Sequence, residues 1–144
     1  MKETYIDYWR KKLQELKDSG EDFDDALLRF PDIVQTLCDL LDTDVIDRES
    51  RMMITSALGY LLAPDDVLPE DVYGVYGYMD DMYISCVVLS ALEKKYFVIV
   101  TKLWIKNNND SLDSVIELCL SRSEKYLDEK NLKDQVLRYC GLIE

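Results

Sequence analysis

Tyr60-Leu61-Leu62-Ala63-Pro64-Asp65-Asp66-Val67-Leu68-Pro69-Glu70-Asp71-Val72-Tyr73-Gly74-Val75-Tyr76-Gly77-Tyr78-Met79-Asp80-Asp81 holds, within 22 residues, two of the chain's three prolines and two of its five glycines. Proline lacks a donor and disfavours helix in the residue before it, so Pro64 ends the helix that precedes it and Pro69 stiffens the chain beyond. Gly74 and Gly77 allow tight turns or close backbone approach. Acids at a helix start bond free backbone amides and meet the positive end of the helix dipole, which is where Asp80 and Asp81 fall. The stretch therefore predicts a helix, a rigid apolar and acidic crossing loop at 63–79, and a second helix starting at Asp80 or a neighbour.

Helical periodicity extends outward from this corner in both directions. Asp47 is a candidate N-cap for the helix that carries Ile54, Ala57, Leu58 and Leu61 inward. Before it, Ala26, Leu27 and Phe30, then Ile33, Val34, Leu37, Cys38 and Leu41, mark a helical region that Pro31 divides into a turn and a new helix, or kinks. Tyr5, Trp9, Leu13 and Leu16 place a first helix up to Asp18-Ser19-Gly20. On the other side, Ile84, Val87, Val88, Ala91 and Leu92 form one stripe. The β-branched run Tyr96–Thr101 has no strand-like segment to pair with, so the helix is expected to continue through Ile105. Asn107-Asn108-Asn109 breaks the chain, Asp110 with Asp113 resembles a capped start, and Leu112, Val115, Ile116, Cys119 and Leu120 face inward. Leu132, Val136, Tyr139 and Cys140 give a short last helix. The expectation is an all-α bundle of about six helices, with residues 1–144 as a single domain.

Composition narrows the function. The chain has 144 residues, 48% of them hydrophobic, with a net charge of −12 and no histidine. Half-apolar composition can fill a core. Lack of histidine removes His-based triads and His-containing zinc or iron sites, and the acidic balance argues against direct nucleic-acid binding. Residues 52–93 carry seven acids and no base. That fits a solvated acidic face, a cation site or a basic partner. The longest uncharged run, Met52–Pro64, is too short to span a bilayer, so no transmembrane segment is expected. Met1-Lys2-Glu3-Thr4 opens without an apolar signal core. Cys38, Cys86, Cys119 and Cys140 are widely spaced in apolar contexts, which predicts free thiols and a cytoplasmic location.

The corner resembles the YkvA-like family, a domain of unknown function (number 1232), whose pattern is a tyrosine, then P-x-D-x-x-P-[DE], then a glycine shortly before a D-D pair. The pattern falls on Tyr60, Pro64, Asp66, Pro69, Glu70, Gly77, Asp80 and Asp81. Glu70 stands where many members have aspartate, and Asp65 where an apolar residue is usual. The resemblance covers about residues 54–92 and leaves 1–45 and 106–144 without support. It implies a small helical domain, found alone or attached to other modules, with no settled activity.

The residues are compatible with three functions. The first is a non-enzymatic protein-interaction module, without a cofactor, whose corner defines the fold and whose partner is a protein, either a basic one or a second copy of the chain. Here Asp66 and Asp80 cap helix ends or bond amides, and Tyr60, Tyr73, Tyr76 and Tyr78 pack with a hydroxyl reaching a partner. The second is a magnesium or calcium site built from Asp65, Asp66, Glu70, Asp80 and Asp81, since these ions take hard oxygen ligands, with hydrolysis as its chemistry. No local Lys or Arg accompanies it to bind phosphate, and no calcium-loop spacing is present. The third is an acidic inhibitor or nucleic-acid mimic. Cysteine nucleophilic catalysis lacks a base to activate the thiol.

Overall fold

The structure is a computed structural model, described over residues 2–20, 23–62 and 77–139. Its elements are α1 (Lys2–Asp18), a 3₁₀ turn (Asp25–Arg29), α2 (Phe30–Leu41), α3 (Arg48–Leu62), α4 (Met79–Lys95), α5 (Phe97–Asn107), α6 (Leu112–Glu129) and α7 (Lys133–Tyr139). The described residues are all-α, with no strand among them.

Local chemistry sets most boundaries. Gly20, at φ 83°, occupies the left-handed conformation that ends α1. The Asp24 side chain accepts from the Ala26 N–H at 3.0 Å and starts the 3₁₀ turn. Pro31 then sits in the first turn of α2, where its missing donor is harmless. This is the turn-then-new-helix outcome, not a kink. Between α2 and α3, Arg51 donates to the carbonyls of Leu41 at 3.0 Å and of Thr43, satisfying oxygens left over at the end of α2. Asp47 caps α3 as expected, accepting from the Ser50 N–H at 2.8 Å. At the end of α6, Asn131 (φ 56°) takes the left-handed position and the Leu132 N–H returns to the Leu127 carbonyl at 2.9 Å.

Several expectations are corrected. The segment from residue 79 to 107 is two helices, because Tyr96 leaves helical geometry (φ −128°, ψ 47°), so the described residues hold seven α-helices. Neither glycine nor proline marks this break. A tertiary anchor does: the Tyr96 hydroxyl accepts from the Asp47 N–H at 2.9 Å, and Lys95 pairs with the Asp47 carboxylate, so both residues are tied to the start of α3. The cap of α6 is Ser111, whose hydroxyl accepts from the Ser114 N–H at 3.5 Å, and Asp110 is used elsewhere. The crossing loop ends before 79, since Met79 is already helical.

The α4 helix is the centre of the bundle, packed against α2, α3, α5, α6 and α7. Eleven of its residues are buried, from Met79 through Leu92, so it is enclosed on nearly all sides rather than along one stripe; Ala91, expected to face inward, is exposed. Around it lie Leu27, Phe30, Ile33, Leu37 and Leu40 of the 3₁₀ turn and α2, Ile54 of α3, Trp104 of α5 and Cys119 and Leu127 of α6, all in one continuous buried cluster. Each such side chain contributes roughly 1.5–3 kcal/mol relative to exposure. Trp9 of α1 closes one side, its ring edge-on to Phe30 at a centroid distance of 4.8 Å.

Candidate functional site

Ile54, Ala57 and Tyr60 lie three residues apart on the buried face of α3, which turns the Tyr60 ring into the core at the end of that helix. A buried phenol needs a partner. It finds one across the corner, where the Tyr60 hydroxyl donates to Oδ2 of Asp80 at 2.5 Å, the short end of the O–H···O range. The other oxygen of Asp80, Oδ1, accepts from the Asp81 N–H at 2.9 Å, one of the amides that the first turn of α4 cannot satisfy within the helix. Both acids sit at the positive end of the α4 dipole. Both point inward: Asp80 is 0% exposed and Asp81 1%. Gly77 is buried beside Tyr78, the residue that precedes α4, and the half-buried Tyr78 ring lies 5.7 Å from that of Trp9.

Of the residues singled out in the sequence, Tyr60 and Asp80 are thus brought into direct contact, with Asp81 and Gly77 alongside. Pro64, Asp65, Asp66, Pro69 and Glu70, like Tyr73 and Tyr76, lie outside the described residues. Among the described residues no three His, Cys, Asp or Glu side chains converge in a metal-holding arrangement. Both oxygens of Asp80 are engaged inside the protein, Oδ2 by the Tyr60 hydroxyl and Oδ1 by the Asp81 amide.

Two polar clusters had no signal in the sequence. In one, Arg29 forks onto Asp110, with a second bond of 3.1 Å, and reaches Oδ2 of Asp32 at 2.9 Å through Nε. Arg10 takes the other oxygen of Asp32 at 2.8 Å, and the Arg29 guanidinium lies 5.7 Å from the Trp104 ring centre. Trp104 in turn donates from Nε1 to the Asp110 carbonyl at 2.8 Å. The Asp110 side chain raises the Arg29 pKa further above its usual value. This cluster ties α1 and α2 to the α5–α6 connection across 81 residues of sequence. In the other, Glu93 and Asp113 line a cleft of about 160 Å³ together with Phe97, Thr101 and Ile105. Burial, then the neighbouring Asp113 carboxylate, push Glu93 up to about 7.

Among the described residues, Cys38, Cys86 and Cys119 form no disulfide. The Cys86 thiol is held well above its ordinary pKa by its hydrogen bond with Cys119 and by burial, which leaves it a poor nucleophile.

Residues 50–85, which contain Tyr60 and the start of α4, match the family described as "Protein of unknown function (DUF1232)", so the central segment carries the YkvA-like assignment. The uncharacterised protein ORF9 of Methanothermobacter thermautotrophicus is 28% identical over 130 residues, covering 90% of this chain and 86% of that relative. The E3 ubiquitin-protein ligase RNF170 of Xenopus tropicalis is 33% identical over 51 residues, and that of Xenopus laevis 31% over the same length. These matches cover 35% of this chain and 20% of each ligase. No solved structure matches the chain significantly. No described helix is long and apolar enough to cross a membrane.

Proposed function

We propose that this protein is a non-enzymatic, cytoplasmic helical interaction module in which the Tyr60–Asp81 corner holds two helices together and the bundle surface does the binding. The observation that carries this reading is the Tyr60–Asp80 junction: the acidic pair at the start of α4 faces inward, with both oxygens of Asp80 already engaged. The buried, high-pKa Cys86 thiol and the absence of histidine fit a chain that works without chemistry. Amid its charged surface the bundle also exposes apolar side chains at and beside α5: Val45, Phe97, Val98 and Ile105. Titration calorimetry with calcium and with magnesium, alongside a phosphate-ester hydrolysis assay, tests the reading. Silence in both is expected. Saturable cation binding that Asp80→Asn abolishes, or turnover that tracks it, overturns it.

A further inference from the structure

The α5 helix buries only Val100 and Trp104 of its eleven residues, while Phe97 (60% exposed), Val98 (68%) and Ile105 (60%) form an outward apolar ridge. Val45, 61% exposed, lines a shallow hollow with Phe97 and Val98 and extends the ridge past the start of α5. The two flanks of this ridge differ in sign. On one side, Phe97, Thr101 and Ile105 share the 160 Å³ cleft with Glu93 and Asp113. On the other, the 3.6-residue repeat puts Lys102 and Lys106 beyond Val98 and Ile105, both exposed. Residues 94–107 contain four lysines and no acid, against a chain that is −12 overall.

We propose that this ridge is the contact face between two copies of the chain, paired about a two-fold axis that runs along α5. The proposal supplies the partner for the interaction-module reading and rests on it. Sign decides the occupant and the orientation. An axis parallel to α5 sets the two helices side by side in the same direction, and lays the acidic flank of each copy over the lysine flank of the other. An axis across α5 sets acid on acid and base on base. A face that is complementary to itself in one orientation is what an isologous dimer requires. An anionic membrane fits less well, because Glu93 and Asp113 border the ridge and the whole molecule is acidic. The net repulsion between two acidic copies decays over about 8 Å at physiological ionic strength, so the paired flanks at contact dominate.

Sedimentation equilibrium of the full chain at physiological salt tests this. Wild type is expected to reach twice its 16.8 kDa mass as concentration rises. Ile105→Glu, at a solvent-exposed position, is expected to weaken association at least about ten-fold. Lys102→Glu leaves the lysine flank with one acid and one lysine, and Asp113→Lys does the same to the acidic flank, so each change cancels one attractive flank pairing in the self-complex. Each variant alone is expected to be monomeric, and an equimolar mixture of the two to form a heterodimer. Circular dichroism shows that each variant is folded before mixing. A wild type that stays monomeric to about 0.1 mM overturns the proposal, as does a mixture of the folded variants that fails to associate. Monomeric wild type that co-sediments with phosphatidylserine vesicles assigns the ridge to a membrane and equally overturns it. None of these outcomes touches the cation titration, so the interaction-module reading fails or stands separately.

Discussion

Asp80 is a costly residue to bury, and its two hydrogen bonds set what its loss should do. Tyr60→Phe leaves a carboxyl oxygen without its donor, and Asp80→Asn weakens both bonds, so each variant is expected to lose about 1–3 kcal/mol in urea unfolding. The double variant should lose less than the sum, because both changes remove one interaction. Additive losses would show that the two side chains act independently. Glu93 provides a second, pH-dependent case. Its folded pKa of about 7 lies above its ordinary 4.5, so the folded state binds more protons between those values. Its contribution is therefore complete below about pH 4.5 and lost as pH rises through about 7. Discounted for its partial exposure, this is on the order of 1 kcal/mol. Asp113 is the carboxylate that opposes it, and Lys94 the neighbouring cation that acts the other way. Glu93→Gln should flatten that part of the stability profile and melt later than wild type at about pH 8, above the folded pKa; an unchanged profile would contradict the pairing. In the sequence, the position of Asp80 at a helix start is legible from the prolines and glycines before it. Its partner is not, since nothing local links residues 60 and 80, and the choice of Ser111 over Asp110 as a cap is made by Arg29, which takes the Asp110 side chain.

Elements show the same division between local and tertiary causes. The ends of α1, α2 and α3 follow from Gly20, Pro31 and Asp47, each of which acts within a turn. The break at Tyr96 has no such residue, and the expectation of one long helix through Ile105 fails because the kink is held by Asp47, 49 positions earlier. The inward stripe expected on α4 is too narrow for a similar reason. Amphipathic reading assumes one wet face, and α4 has almost none. At this scale the Arg29 cluster is the contact that joins the N-terminal helices to the α5–α6 connection. Lysine keeps the charge but cannot fork onto Asp110 while reaching Asp32. Arg29→Lys is expected to cost about 1 kcal/mol in unfolding, read by thermal or urea melts. A variant as stable as wild type would reduce the cluster to a solvated surface pair.

For the whole molecule, the all-α class and the central family segment are readable from periodicity and from the Tyr60–Asp81 pattern, while the apolar ridge on α5 is not. Its β-branched residues look like interior sequence, and only the packing of α5 on α2, α4 and the α5–α6 connection decides that Val100 and Trp104 are inside and Val98 and Ile105 are not. We propose above that the acidic pair at the head of α4 holds the bundle together rather than binding a cation. Thermal melts of wild type and Asp80→Asn, each with and without millimolar calcium or magnesium, separate the two roles. The cations are expected to leave the wild-type midpoint unchanged, and Asp80→Asn to melt several degrees earlier under every condition. A cation-induced rise in the wild-type midpoint that disappears in Asp80→Asn would contradict it.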